Sequence, residues 1–264
     1  MPEPCGDERV YICMSKYDNL RLSALVLALA AVLGAGCARP DIRSGMARLD
    51  GAYIPALSLT SEGDTARSKA ALAVLSVEWH EFRRRHGRWA KADTEWQPDL
   101  SRAETMIQRA VLLADADSLA RAHDELEPVR TVMMKLRRRN GIDYFLDYLT
   151  EFHPPMEALV SAGKSRLPES LNPGALDSLK TEYALAASAW NRVESAGLDR
   201  WRYELNQQQR AEAEAHIKAE SEALGRLGDA FAARDRAAVL KAAATLKPEF
   251  AALYKMFGDY ARLR

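Results

Sequence analysis

Histidine, methionine and glutamate residues occur in one part of the sequence at spacings that could build a metal site. His123 is followed one helical turn later by Glu127, and His153 lies three residues before Met156. Met133 lies between these two pairs along the chain. Copper accepts imidazole together with thioether ligands, and a His/Met pair also ligates haem iron. These five residues are the candidate ligands for copper or haem, although nothing in the sequence requires a cofactor.

Other signatures of catalysis are missing from the sequence. The histidines show no H-x-x-x-H, H-E-x-x-H or C-x-x-C-H spacing, and there is no Glu-x-x-His pair of the kind found in di-iron bundles. There is also no glycine-rich phosphate loop and no serine in a nucleophile elbow. We therefore predict that the protein is not an enzyme.

The charge balance and the cysteine content narrow the classes of partner. The 264 residues include 37 Lys+Arg and 37 Asp+Glu, so the formal net charge is zero. A neutral chain lacks the attraction that draws basic proteins to nucleic acid, and no nucleic-acid partner is expected. Hydrophobic residues make up 48% of the chain, which is enough to bury a core. No cysteine follows Cys37, so the rest of the chain holds no disulfide.

The N-terminal region has the features of an export signal. Lys16 and Arg21 give it a basic start, and an apolar run follows over residues 22–36. That run has about the length of a signal-peptide core and is shorter than a membrane-spanning helix. Because Met14 lies where a signal peptide starts, residues 14–36 are predicted to be the signal peptide.

The end of the apolar run resembles the lipobox of bacterial lipoproteins. It reads Leu33-Gly34-Ala35-Gly36-Cys37, with small side chains before the cysteine. The resemblance implies that Cys37 becomes the lipid-modified first residue of the mature chain. The protein would then be attached to the periplasmic side of a bacterial membrane through its N-terminal lipid. Cleavage after Ala38 is the alternative, and it would leave a soluble periplasmic protein.

The segments that hold the candidate ligands are predicted to be helices. Apolar residues recur three and four positions apart, and strand-like alternation is nearly absent. Residues 37–63 contain scattered glycine and proline and are predicted to form a flexible tether. Helices are then expected from about Thr65 to His86, after Pro98, from about Asp117 to Asn140, from about Ile142 to Ala162 with a break at Pro154-Pro155, after Pro173, from about Asp199 to Gly225 and from about Asp235 to the end.

Together these segments predict an all-α, up-and-down antiparallel helical bundle of about seven helices. The end of the chain also matches a segment 120 residues earlier, pairing Leu246 with Leu126 and Pro248 with Pro128. A proline inside a helix is costly, so its repetition favours an internal duplication. The predicted repeats are residues 64–163 and 172–264, packed either as two bundles or as one.

The expected function is that of a non-enzymatic binding or scaffold module at the cell envelope. Its partner, such as another envelope protein, would contact a groove between helices or the polar segment that starts at Asn206. The alternative is a periplasmic carrier of copper, iron or haem. Its ligands would be His123, Glu127, His153, Met156 and Met133.

Overall fold

The described part of the chain is built from helices. The computed structural model describes residues 41–198 and 205–263, and it contains no β-strand within these ranges. This confirms the predicted all-α bundle. Short 3₁₀ helices also occur at Pro168–Ser170 and Tyr260–Leu263. The α-helices are α1 (Ile42–Glu62), α2 (Thr65–His86), α3 (Trp96–Asp115), α4 (Leu119–Arg139), α5 (Phe145–Ser165), α6 (Pro173–Ala196), α7 (Gln207–Ala232), α8 (Arg236–Ala243) and α9 (Lys247–Lys255).

The helices pack as two groups within one compact unit. In the first group, α1 to α4, each helix packs against the next, and α4 returns to pack against α1. In the second group, α5 to α9, the short helices α8 and α9 together take the place of a fourth helix, and both pack against α5. The short connections between helices make most neighbours antiparallel, as in other up-and-down bundles.

The predicted tether at residues 37–63 is wrong for the part that the structure describes. Residues 42–62 form helix α1, in which Met46, Ile54 and Leu59 are completely buried. The glycines of this segment suggested a loop, but Gly45 has a packing role inside the helix. A Cβ atom at Gly45 would collide with the buried ring of His86. Residues 42–62 are therefore part of the folded body.

Pro55 is compatible with the interior of α1 because another segment replaces the hydrogen bond that it removes. A proline has no N–H, so the carbonyl group of Gly51 loses its helical donor. The backbone N–H of Asp259 donates to that carbonyl at 2.8 Å. The C-terminal segment thereby satisfies a backbone group that the helix cannot.

The predicted break at Pro154-Pro155 is also wrong, because α5 continues through both prolines. The carbonyl groups of Thr150 and Glu151 lose their helical donors, and Thr150 borders an open cleft. Water or a ligand can reach a carbonyl group in such a position, so the helix does not have to end there.

The last predicted helix is divided in the structure. Asp235 caps α8, but the chain turns at residues 244–246 before α9 begins. Pro248 lies in the first turn of α9, where no helical hydrogen bond is lost, whereas Pro128 lies inside α4. The packing groups divide between α4 and α5 rather than at residues 163–172. The internal duplication stays a prediction.

Several predictions fall outside the described residues. They are the signal peptide at residues 14–36, the lipidated Cys37 and the helix start at Asp199. From Gln207 onward the corresponding helix, α7, is described and extends to Ala232, beyond its predicted end at Gly225. No helix in the described ranges is both long and apolar enough to cross a membrane.

Candidate ligand-binding cleft

An open cleft of about 770 Å³ lies between α4 and α5, and we call it the α4–α5 cleft. These helices follow each other along the chain but belong to different packing groups. Residues of α3 and α9 complete the walls. The polar and charged residues of its lining are Arg102, His123, Asp124, Glu127, Arg130, Thr131, Lys135, Thr150, His153, Glu157 and Lys247.

Arg130 lies at the centre of this lining, with only 8% of the residue exposed. Its Nη2 atom lies 2.8 Å from Oε1 of Glu127 and 2.7 Å from Nδ1 of His153. Its guanidinium carbon also lies 5.9 Å from the ring centroid of Tyr254 on α9. A single buried cation therefore connects α4, α5 and α9.

These contacts determine the state of the His153 ring. The Nη2 atom of Arg130 lies 2.7 Å from Nδ1 and 3.1 Å from Nε2, so the guanidinium group, which can only donate hydrogen bonds, faces both ring nitrogens. Nε2 also lies 3.4 Å from Oε1 of Glu157. Burial lowers the pKa of His153, and the cation of Arg130 lowers it further, although Glu157 opposes the change. The imidazole is therefore neutral at neutral pH.

Glu157 is held as a carboxylate by its neighbours. Its contacts with His153 and with Lys247, the latter at 2.5 Å, lower the pKa of Glu157 to about 2. The carboxylate thus stays ionised over the physiological range, and it links α5 to the start of α9. The charges in this part of the cleft are fixed in place by their contacts with one another.

His123 has a different role from His153. Its Nδ1 atom lies 2.9 Å from the backbone carbonyl of Leu57 on α1. A carbonyl group only accepts hydrogen bonds, so Nδ1 carries the proton here. Nε2 of His123 lies 3.7 Å from Oε1 of Glu127. His123 therefore joins α4 to α1 at the edge of the cleft.

The two methionines predicted as ligands lie in the hydrophobic core. Met156 is completely buried, and Met133 is 4% exposed. Met133 borders a small internal cavity together with Leu49 and Trp79 of the first group. Neither methionine belongs to the lining of the α4–α5 cleft.

The other three predicted ligands do come together, but they do not fit a metal ion or haem. His123 and His153 both approach Glu127, at 3.7 Å in each case. The guanidinium group of Arg130 contacts Glu127 and His153, where a metal cation would have to lie. Across the described residues, no group of three or more His, Cys, Asp or Glu side chains is arranged to hold a metal ion.

A second arginine of α4 reaches α5 further from the cleft, and sequence reasoning missed its role. Arg137 is 2% exposed, and its Nε atom lies 2.9 Å from Oδ1 of Asp147 on α5. Its guanidinium carbon lies 4.3 Å from the ring centroid of Tyr144, whose hydroxyl donates to Asp50 of α1 at 2.5 Å. A signal was present, because Arg130 and Arg137 are two helical turns apart beside the apolar stripe of α4.

Asp50 is the acid that α1 contributes to this network. Its burial raises the pKa of Asp50 to about 6, although the charge of Arg137 and the hydrogen bond from Tyr144 both lower it. Ionisable side chains therefore connect the two helical groups at this point through Arg137, Asp147 and Asp50.

Comparison with known proteins finds no matching family model, no similar curated protein and no similar solved structure.

Proposed function

We propose that the protein is a non-enzymatic binding module of the cell envelope and that the α4–α5 cleft is its ligand site. The carrying observation is the polar lining of the cleft, in which Arg130, His153, Glu127 and Glu157 hold one another in place beside an open volume. Groups that are already fixed lose little entropy when a ligand binds, so such a lining favours binding.

The state of these groups also supports a role without catalysis. Both ring nitrogens of His153 are occupied, one by Arg130 and one by the carboxylate of Glu157. The lining contains no serine or cysteine that could act as a nucleophile. Thr150 uses its hydroxyl to donate to the carbonyl of Leu146 within its own helix.

The place of the protein in the cell is the second part of the proposal. The lipobox-like sequence that ends at Cys37 supports attachment to the periplasmic side of a bacterial membrane. Mass spectrometry of the mature N-terminus tests this, and we expect a chain that starts at Cys37 and carries a lipid. An unmodified chain that starts at Arg39 would show that only the secretion signal is present.

A thermal-shift screen of the full-length protein tests the ligand site. The panel contains alanine peptides, spermidine, glucose 6-phosphate, copper(II) and haem, so that it includes the metal carrier alternative. A ligand present at 100 times its Kd adds about 2.7 kcal/mol. That corresponds to an increase in Tm of roughly 5 to 10 °C for a chain of this size.

Thr131→Trp is the blocking variant, because Thr131 lines the cleft and is half-buried without a charge. Thr181→Trp is the matched control on the exposed side of α6. We expect the shift to disappear in Thr131→Trp and to persist in Thr181→Trp. Equal shifts in both variants, or no shift with any probe, would refute the cleft as the ligand site.

A further inference from the structure

The α4–α5 cleft carries charges of opposite sign at its two ends. Lys135 lies at one end, near Arg102, which is paired with Asp99. Asp124 lies toward the other end, near the ion pair between Glu157 and Lys247. Lys135 and Asp124 are both exposed, and neither forms an ion pair with any residue in the described ranges. Each end therefore offers one charged group that the protein itself does not neutralise.

The antiparallel direction of α4 and α5 determines toward which end of the cleft Glu157 lies. Arg137 contacts Asp147 and Arg130 contacts His153, so α5 runs antiparallel to α4. Glu157 is one turn beyond His153, and it therefore lies toward the Asp124 end of α4.

Both walls of the cleft also contain a backbone carbonyl group that has lost its helical donor. Pro128 removes the donor for the carbonyl of Asp124, and Pro154 removes the donor for the carbonyl of Thr150. All four of these residues line the cleft. The corresponding carbonyl in α1 receives an N–H from another backbone segment, whereas within residues 41–198 and 205–263 no backbone group outside the helices donates to these two.

The length between the charged ends gives the size of the ligand. Lys135 and Asp124 are 11 positions apart on α4. At 1.5 Å per residue, this corresponds to about 16 Å along the helix axis. An extended peptide covers about 3.3 to 3.6 Å per residue, so four or five residues fit between the two ends.

We infer that the ligand of the cleft is a short extended peptide with free termini, an inference that rests on the proposed function. The C-terminal carboxylate binds at Lys135, and the N-terminal ammonium binds at Asp124. Backbone N–H groups of the peptide donate to the two free carbonyls on the walls.

Other classes of ligand match only part of this arrangement. A phosphate ester would use the basic end and leave the acidic end unpaired, whereas a polyamine would use only the acidic end. Neither carries the alternating backbone N–H groups that the carbonyls of Asp124 and Thr150 would accept. Only a peptide uses both ends and both walls.

Isothermal titration calorimetry of the full-length protein with pentaalanine tests the inference. Three comparison peptides each lack one feature. N-acetyl-pentaalanine lacks the ammonium, pentaalanine amide lacks the carboxylate, and dialanine is too short to reach both ends. We expect each change to weaken binding by about tenfold or more, because each removes a charge-assisted contact.

Charge reversal identifies where the peptide binds. Lys135→Glu should weaken pentaalanine binding by about tenfold but leave the affinity for pentaalanine amide almost unchanged. Asp124→Lys should weaken the binding of pentaalanine by about tenfold, because it removes the partner of the N-terminal ammonium. It should leave the affinity for N-acetyl-pentaalanine almost unchanged. The matched controls Lys180→Glu and Asp177→Lys reverse exposed charges on α6 and should have no effect. Pro128→Ala restores an N–H to the carbonyl of Asp124, so it should weaken all the long peptides.

The outcomes separate this inference from the proposed function. No peptide binding, or binding that is indifferent to blocked termini, would overturn the peptide assignment. If spermidine or a phosphate ester then bound with an affinity that changed in Thr131→Trp, the cleft would still be a ligand site. If no probe responded to that variant, the proposed function would fail as well.

Discussion

Arg130 and Arg137 form similar side-chain contacts in two different environments. Both extend from α4 to α5, both are less than 10% exposed, and both lie beside an aromatic ring. Arg137 pairs with an aspartate that is also buried, whereas Arg130 contacts a histidine and a half-buried glutamate at the border of the cleft. Both side chains of the Arg137 pair are less than 5% exposed, whereas the Glu127 side chain that pairs with Arg130 is 38% exposed.

The difference in exposure predicts which of the two clusters contributes more to the stability of the fold. A buried ion pair is costly to disrupt because the remaining charge cannot be solvated. A charge beside an open cleft can be solvated by water or paired with a ligand, so its loss is less damaging. The number of ion pairs alone would not have separated these two roles.

The largest effect is expected from Arg137→Met. The change leaves Asp147 and Asp50 without their cation, and we expect a loss of about 4 kcal/mol in the free energy of unfolding, measured with urea. Arg138→Met, which removes an exposed ion pair with Glu151, should cost less than about 1 kcal/mol. The double variant Arg137→Met/Asp147→Leu should recover part of the loss, because Asp147 is no longer left unpaired, whereas Asp50 still lacks the nearby cation. Similar losses in Arg137→Met and Arg138→Met would contradict the structural role.

A buried acid in the second group, Glu220, differs from both clusters because no cation forms an ion pair with it among the described residues. Glu220 of α7 is completely buried, and neither carboxyl oxygen forms a hydrogen bond of normal geometry. Burial raises the pKa of Glu220 to about 8, Glu249 adds to this, and the nearby backbone N–H of Phe250 opposes it. Its folded pKa exceeds the ordinary 4.5, so the folded protein binds more protons and loses stability as the pH rises from 4.5 to about 8.

Glu220→Gln should remove that dependence. Each unit of pH within the window changes stability by about 1.4 kcal/mol, so the wild type should lose about 3 kcal/mol more than the variant between pH 5 and pH 7. Urea unfolding at the two pH values measures the difference. Glu222→Gln, at an exposed position on the same helix, is the control and should behave like the wild type. Parallel pH profiles for all three proteins would show that Glu220 does not titrate in this way.

Arg130→Met should have a smaller effect on stability than Arg137→Met. We expect a loss of about 2 kcal/mol, the value of a hydrogen bond to a charged group, because water can enter at the cleft. The pKa of His153 should also rise, since the cation that lowers it is gone while Glu157 remains. An NMR titration of the His153 ring measures this. If the pKa of His153 did not change and Arg130→Met lost as much stability as Arg137→Met, the two arginines would not have different roles.

The sequence was sufficient to predict the fold class because the helical signals are local. Asp64 and Asp235 cap helices where predicted, and the three-and-four spacing of α4 and α6 corresponds to buried faces. The tether was predicted wrongly because Gly45 and Pro55 depend on distant partners. Gly45 packs against His86, and Pro55 is tolerated because Asp259 supplies the missing donor. Such tertiary compensation leaves no local trace in the sequence.

The cleft was only partly predictable for the same reason. His123, Glu127 and His153 were identified from their spacing and do lie close together. Arg130 was not identified, because an arginine beside an apolar stripe does not reveal what it meets on another helix. That one residue changes the chemistry, since its charge occupies the position that a metal ion would need.

The smallest effect on stability is expected from substitutions of His123. They test whether His123 contributes a hydrogen bond to α1, a role that His153 does not have. The hydrogen bond from Nδ1 to the carbonyl of Leu57 is the main contact of His123 outside α4. His123→Leu should cost about 1 kcal/mol, measured by urea unfolding. His123→Asn should cost less than half as much, because the side-chain amide can place an N–H near the position of Nδ1. If both variants lost the same stability, the hydrogen bond to α1 would not be what His123 contributes, and packing of the ring would take its place.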